Sequence, residues 1–249
     1  MQMSLASPAK LSPGALASPL RLNVYIDGFN FYYGCLKYEH PDCKWLDFGK
    51  FCQIAIPLPN YQVNRIRYFT APVKGAPAKH ARQQVLLRAL HTIPNLTVHR
   101  GHFLRHEKEA YLVGTCPAGQ PPPCNPHPSG PHMAYVYHTE EKGSDVNLAT
   151  YLLFDGFKRD YDAAVVISND SDLVEPIRIV QDELGLPVGI LNPQIGKDRH
   201  GQPKKPSNEL RQTAKLFFAP VWGPSLKQSQ FPTVFQSPDG RPIQKPSTW

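Results

Sequence analysis

Acidic residues in three short polar stretches are the part of this chain that could do chemistry. Asp27 opens the stretch 27–30, Asp145 closes 141–145, and Asp170 and Asp172 lie in 168–172. Each stretch follows a β-prone run, and the carboxyl ends of parallel strands share one edge where ligands bind. Carboxylates gathered there repel one another unless a hard cation lies among them. The pattern therefore predicts a Mg²⁺- or Mn²⁺-dependent enzyme that acts on phosphate esters.

Phosphodiester hydrolysis assigns an expected role to each of these residues, because it needs an activated water, a neutralised phosphate and an in-line leaving group. Asp27 and Asp145 are expected to be the main metal ligands. Asp170 and Asp172 would hold the metal directly or through water and orient the attacking water. Asn30 follows Asp27 by one helical turn and can present its amide to the same site.

A second set of residues is expected to contact the substrate. Lys142 could neutralise the scissile phosphate as a point charge. Ser168 lies at a strand end, where it could bond an aspartate or a phosphate oxygen, and Asn169 follows it. Lys197 and Arg199 lie in a basic loop that could carry a nucleic-acid backbone, although a solvated charged loop explains them equally well.

Each acid also has a purely structural interpretation. Asp-Gly is a common turn, and Asp145, Asp170 and Asp172 lie where a helix N-cap or first turn favours an acid. Taken one at a time, the structural interpretation is the better one. Taken jointly, three separate stretches that place acids at the ligand-binding edge favour the metal site.

Other catalytic motifs do not fit. An aspartyl nucleophile of the phosphatase type needs a second acid two residues after the first, and Phe29 occupies that position. The chain has no Walker A loop, no Gly-x-Ser-x-Gly elbow and no His-Glu-x-x-His motif.

Composition agrees with a globular protein that binds a polyanion. The 249 residues are 41% hydrophobic and carry a net charge of +7. A basic surface around an acidic pocket suits a polyanion held over metal, although charge alone would equally describe any cationic protein. Five cysteines without a secretory signal predict reduced thiols and a cytoplasmic location. No segment is long and apolar enough to span a membrane, and no membrane partner is expected.

Alternating strand-like and helix-like runs predict an α/β domain with a mostly parallel sheet. The expected strands are 22–27, 65–70, 96–104, 133–138, 163–168 and 187–191. The expected helices are 29–36, 45–56, 77–90, 144–157, 173–184 and 208–218. A long loop is expected at 105–131, with a flexible tail at 1–20 and a Pro-rich tail at 220–249 whose residues 238–240 could close a hairpin.

Three sequence blocks, 23–30, 139–149 and 165–173, resemble the NYN domain family of PIN-like nucleases, in its bacterial LabA-like branch. Their order and spacing are more specific than any one block. The resemblance implies a three-layer α/β/α, Rossmannoid PIN-like fold over residues 21–219 and metal-dependent ribonuclease activity. It also implies an acidic pocket made of Asp27, Asp145, Asp170 and Asp172, with Asn30 as a polar companion. The 105–131 loop and the N-terminal tail depart from the family pattern.

The 105–131 loop and its flank contain four residues of types that bind zinc, namely Cys116, Cys124, His127 and His132. Their spacing matches no common zinc finger, so a proline-rich surface loop without metal is the alternative. Tyr32 and Tyr33 could stack on bases, or pack in the core.

Two hypotheses from different classes follow. The first is a metal-dependent endoribonuclease in which water attacks the phosphodiester of an RNA partner; a toxin-like or defence nuclease would differ from it in biological role alone. The second is a regulatory module that binds RNA or a nucleotide and cleaves nothing, which a complete set of acids disfavours because metal-free carboxylates repel phosphate. An exposed edge strand would permit a homodimer.

Overall fold

The computed structural model describes residues 18–56, 58–111, 133–197, 201–218 and 223–249. The strands of these ranges are β1 (Leu20–Asp27), β2 (Tyr61–Thr70), β3 (Leu96–Arg100), β4 (His102–Tyr111), β5 (Met133–Lys142), β6 (Ala163–Ile167), β7 (Val188–Leu191), β8 (Leu216–Phe218), β9 (Val234–Gln236) and β10 (Pro242–Gln244). The α-helices are α1 (Gly28–Phe31), α2 (Phe48–Ala55), α3 (Pro77–Leu90), α4 (Ser144–Phe157), α5 (Val174–Asp182), α6 (Asn208–Thr213) and α7 (Gly223–Gln228). A π-helical segment, Tyr32–Leu36, continues α1, and short 3₁₀ turns lie at Pro41–Cys43 and Ser171–Leu173.

A parallel sheet of six strands forms the centre of the molecule, in the order β3-β2-β1-β6-β7-β8. The run 163–167 is buried along its whole length, as expected for a strand covered on both faces. Helices α2, α3 and α7 pack on one face and α4, α5 and α6 on the other, each over its own apolar core. The predicted three-layer α/β/α fold with a mostly parallel sheet is therefore confirmed.

The strand order creates a crevice beside the middle strand. From β1 the chain moves outward through β2 to β3, and later returns to the other side of β1 with β6. The carboxyl ends of β1 and β6 therefore flank the point where the order reverses, which is where open α/β sheets bind ligands.

Two predicted elements are wrong. The run 96–104 is divided at Gly101 into β3 and β4, and β4 pairs antiparallel with β5 in a ribbon outside the main sheet. Residues 105–111 thus belong to a strand where a loop was expected, because their mixed charges hide the period of two. The helix predicted at 208–218 ends at Thr213, and its last residues form β8 at the sheet edge beside β7.

Residues 223–249 pack on the body of the protein. Leu226, Phe231 and Ile243 are buried in the same core as α2 and α3. The Trp45 indole N–H donates to the Pro232 carbonyl at 2.9 Å. The hairpin expected around residues 238–240 is confirmed by the antiparallel pair β9–β10. Within the part of the chain that the structure describes, no helix combines the length and apolar character needed to cross a membrane.

A buried ion pair fixes α4 against the sheet. Arg67 of β2 donates to the Asp155 carboxylate of α4 from Nε at 2.6 Å and from Nη2 at 2.7 Å. The Tyr25 hydroxyl donates to the same carboxylate at 2.8 Å. Both members of the pair are buried, with side-chain exposures of 9% and 3%. Because Asp145 lies in the first turn of the same helix, this contact helps to set the position of Asp145 over the sheet edge.

His99 extends this buried network and makes stability depend on pH. Its Nε2 lies 3.0 Å from Arg67 Nη1, and its ring contacts Phe69 and Tyr151 at centroid distances of 5.0 and 4.1 Å. Burial, reinforced by the Arg67 charge, lowers the pKa of His99 to about 4. Since the folded state favours the neutral ring, its contribution is complete above the unfolded pKa of about 6.5 and is lost as pH falls toward 4.

We therefore expect the free energy of unfolding to fall more steeply with acidification in the wild type than in His99→Gln. Glutamine keeps an oxygen acceptor for Arg67 but does not titrate in this range. Urea titrations of both proteins at neutral pH and near pH 4.5 measure the difference. Equal losses of stability in the two proteins would contradict the assignment.

Candidate active site

Asp27 ends the middle strand and is held from two sides. It is 4% exposed. Its Oδ1 accepts the Asn30 backbone N–H at 2.9 Å, which caps α1, and its Oδ2 accepts the Ser168 hydroxyl at 2.9 Å. Burial raises the pKa of Asp27 above its usual range. Ser168 therefore bonds an aspartate, which is one of its two expected roles. This hydrogen bond links the ends of β1 and β6 directly.

Asp170 follows β6 and lies in the same hydrogen-bonded chain. Its backbone N–H donates to Ser168 Oγ at 3.1 Å, and its Oδ1 accepts the Asp172 N–H at 3.0 Å. Asp170 therefore caps a 3₁₀ turn and also faces the crevice. Asp172 is exposed, and it lies outside the lining of the cavity described below.

Asp145 lies in the first turn of α4, after a left-handed glycine. Gly143 has φ of 98°, a conformation that favours glycine. Just before it, Glu141 Oε1 accepts the Ser144 N–H at 3.2 Å and the Ser144 hydroxyl at 2.8 Å, which fixes the start of the helix. Burial, followed by the charges of Asp27, Asp170, Glu141 and Asp172, raises the pKa of Asp145 to about 7. These carboxylates are therefore close enough to repel one another.

A cavity of about 300 Å³ opens among these groups. Its lining combines four carboxylates with three aromatic rings and one amide: Asp27, Glu141, Asp145, Asp170, Phe29, Tyr33, Phe103 and Asn30. The carboxylates come from the ends of β1 and β5, from the start of α4 and from the residues after β6. Elements far apart in sequence thus meet at the crevice that the strand order creates.

The donor chemistry of the cavity fits a hard divalent cation. Carboxylate oxygens are preferred by Mg²⁺ and Mn²⁺, and Mg²⁺ keeps several waters while using one or two carboxylates. Among the residues that the structure describes, no three His, Cys, Asp or Glu side chains stand close enough together to form a ready-made metal cage. The donor types of the cavity fit a divalent cation that keeps part of its water shell.

Asn30 lines the cavity, and its side-chain oxygen is already engaged. Its Oδ1 accepts two hydrogen bonds, from the Asn169 backbone N–H at 3.2 Å and from Gln194 Nε2 at 3.1 Å. Because both partners are donors, the network assigns the oxygen to that side. The NH₂ group is then the part of Asn30 that can donate to a ligand.

The other residues predicted to contact the substrate, where the structure describes them, do not line the cavity. The Lys142 ammonium pairs with Glu140 at 2.7 Å and is half exposed. Asn169 accepts the Ser207 N–H at 2.7 Å, and thereby ties the segment after β6 to the start of α6. Lys197 is exposed and bridges to Pro203. The remaining predicted residues lie outside the described ranges: Arg199, Cys116, Cys124, His127 and His132.

Sequence reasoning missed Glu141 and most of the aromatic wall. The glutamate stands three residues before Ser144, a spacing that can cap a helix, and this was the available signal. Gly101 leaves room for it, since a Cβ at this position would collide with the Glu141 carboxylate. The sequence did not identify Phe103, because the β4–β5 ribbon on which it lies is not visible in the local pattern. Its ring meets Phe29 edge-on at 5.7 Å and closes one side of the cavity.

Comparison with known proteins supports a family assignment. The enzyme 6-hydroxy-3-succinoylpyridine 3-monooxygenase HspA of Pseudomonas putida is 28% identical over 257 residues, which cover 94% of this chain and 76% of that protein. A solved protein of unknown function from Vibrio parahaemolyticus is 14% identical, with 83% of this chain and 96% of that chain covered and a TM-score of 0.47. The NYN domain model matches residues 21–219, and the chain therefore belongs to the NYN domain family, within the PIN-like nuclease superfamily.

Proposed function

We propose that this protein is a divalent-metal-dependent ribonuclease that hydrolyses phosphodiester bonds. The observation that supports this most is the convergence of Asp27, Glu141, Asp145 and Asp170 on one cavity at the reversal point of the sheet. These acids stand on the ends of rigid elements, which is what a site for in-line displacement requires. Membership of the PIN-like nuclease superfamily also supports a nuclease activity.

Different residues would bind the cation and orient the carboxylates that hold it. Asp27, Asp145 and Asp170 would hold a partly hydrated cation, directly or through its waters, with Glu141 beside them. When bound, a divalent cation neutralises phosphate charge and lowers the pKa of an attacking water. Ser168 and the N-terminus of α1 keep the Asp27 carboxylate oriented.

The remaining groups of the cavity would act on the substrate. The Asn30 amide is placed to donate to a phosphate oxygen, since its own oxygen is already engaged. The rings of Phe29 and Phe103 cover one side of the cavity and limit the access of water. Fewer competing waters strengthen the electrostatic contacts inside the cavity.

Labelled single-stranded RNA tests the proposal directly. We expect cleavage in Mn²⁺, loss of cleavage in EDTA and recovery when Mn²⁺ is restored, because the acidic cavity repels phosphate without a cation. A DNA strand of the same sequence, run in parallel, measures the preference for RNA. Binding of RNA without cleavage in either Mn²⁺ or Mg²⁺ would favour the regulatory module.

The Pseudomonas relative is named a monooxygenase, so oxygen consumption by this protein is measured as a second control. Oxygen uptake in the presence of 6-hydroxy-3-succinoylpyridine and NADH, which supplies the two electrons that a monooxygenase needs, is measured on the same preparation. We expect none, because the acids of the cavity would act on phosphate esters. Uptake without RNA cleavage would contradict the proposal.

A further inference from the structure

An exposed aromatic and cationic surface lies on the rim of the cavity. Tyr33 lines the cavity and is 52% exposed, and Tyr38 beyond it is 69% exposed. The Lys37 ammonium stands between them, 4.8 Å from the centre of the Tyr33 ring and 4.6 Å from that of Tyr38. We call these three residues, Tyr33, Lys37 and Tyr38, the rim platform.

The rim platform begins on a segment held firmly against the body. Tyr32 packs against the apolar core and meets the Tyr33 ring edge-on at 5.2 Å. The Lys37 N–H donates to the Tyr32 carbonyl at 2.8 Å, which closes the π-helical segment. A Cβ at Gly34 would come within 3.0 Å of the Pro193 carbonyl, so this segment lies tightly on the loop after β7. The position of Tyr33 beside the cavity is therefore well defined.

The chemistry of the rim platform matches an unpaired nucleic-acid strand. Exposed aromatic rings bind bases by stacking, with little dependence on which base is present. An ammonium between two rings offers a point charge for the phosphate that joins two stacked nucleotides. Tyr33 itself lines the acidic cavity, so a strand on the rim platform would continue directly into that cavity.

We propose that the rim platform binds unpaired nucleotides of the RNA next to the phosphate that is cleaved, with one base stacked on Tyr33 and Lys37 facing the neighbouring phosphate. This inference rests on the proposed nuclease function and adds the residues that would hold the nucleotide beside the cleaved phosphate. A duplex would bind more weakly because its bases are already stacked on one another.

Fluorescence anisotropy with a short labelled oligouridine in Ca²⁺ tests binding separately from cleavage. The same backbone with abasic nucleotides, and a blunt RNA duplex, serve as comparison ligands. We expect Tyr33→Ala to weaken oligouridine binding by on the order of tenfold and Tyr33→Phe to stay within about twofold of wild type. Abasic RNA should bind wild type and Tyr33→Ala equally. Lys37→Gln should weaken both single strands and reduce the salt dependence.

Tyr135→Ala is the matched control, since this tyrosine is 67% exposed but lies on the β5 ribbon. It should bind like wild type. Oligouridine binding that is unchanged in Tyr33→Ala, or equal wild-type affinities for oligouridine and abasic RNA, would overturn the proposal. RNA cleavage in Mn²⁺ with unchanged Tyr33→Ala binding rejects the rim platform alone. Stacking-dependent binding without cleavage rejects the nuclease alone.

Discussion

Asp145→Asn is expected to lower the rate of RNA cleavage by at least about 100-fold while leaving the protein folded. Each tenfold loss of rate corresponds to about 1.4 kcal/mol of lost transition-state stabilisation. The asparagine has nearly the same shape but lacks the charge that would hold the cation. Asp27→Asn should have a similar effect, because this carboxylate lies at the end of the middle strand. Cleavage rates in Mn²⁺ under single-turnover conditions measure both.

RNA binding separates this effect from loss of the fold. Both variants should bind RNA at least as tightly as wild type, because each removes a negative charge beside the phosphate. Asp182→Asn makes the same chemical change on an exposed residue at the far end of α5 and should cleave normally. If Asp145→Asn keeps wild-type cleavage, the acidic cavity is not the active site. Unchanged circular dichroism confirms that any loss is not caused by unfolding.

Arg67→Ala is expected to lower the free energy of unfolding by about 3–5 kcal/mol, because it leaves the buried Asp155 carboxylate without its cation. The affected pair is 9% and 3% exposed and makes two hydrogen bonds. Urea unfolding at neutral pH measures the loss. Arg178→Ala, which removes the cation of an exposed pair with Glu175 on α5, should cost no more than about 1 kcal/mol.

An apolar replacement of the same network distinguishes lost charge pairing from lost packing. Substituting Arg67→Met, Asp155→Leu and Tyr25→Phe together removes the pair and the hydroxyl that donates to it. We expect this triple variant to recover most of the stability lost in Arg67→Ala, since an apolar core of similar volume can replace a buried ion pair. A triple variant as unstable as Arg67→Ala would show that specific packing, rather than an unpaired charge, causes the loss.

Features that depend on neighbouring residues could be predicted from the sequence. The buried strand 163–167 and the helix Ser144–Phe157 were expected almost as they stand, because both follow from the local pattern of apolar residues. Asp47 caps α2, with its carboxylate accepting the Lys50 N–H at 3.1 Å, a local role that an acid before an apolar helical run indicates. The acids Asp27, Asp145 and Asp170 were identified because a strand end followed by a helix is visible in the chain itself.

The failures share one physical cause, which is that strand partners are chosen over long distances in the chain. The run 214–218 continues the apolar pattern of a helix, and its pairing with β7 makes it a strand. The β4–β5 ribbon likewise exists through cross-strand pairs such as Phe103 with Glu141, which no local pattern reveals.

By itself, the sequence determined the α/β class and placed Asp27, Asp145 and Asp170 at the junctions between strands and helices. The tertiary structure alone decided that β1 lies beside β6, that Glu141 and Phe103 join the cavity, and that Tyr33 stands exposed on its rim. The physical reason is that local periodicity reports which face of an element is buried, whereas a site is assembled by contacts between elements distant in the chain.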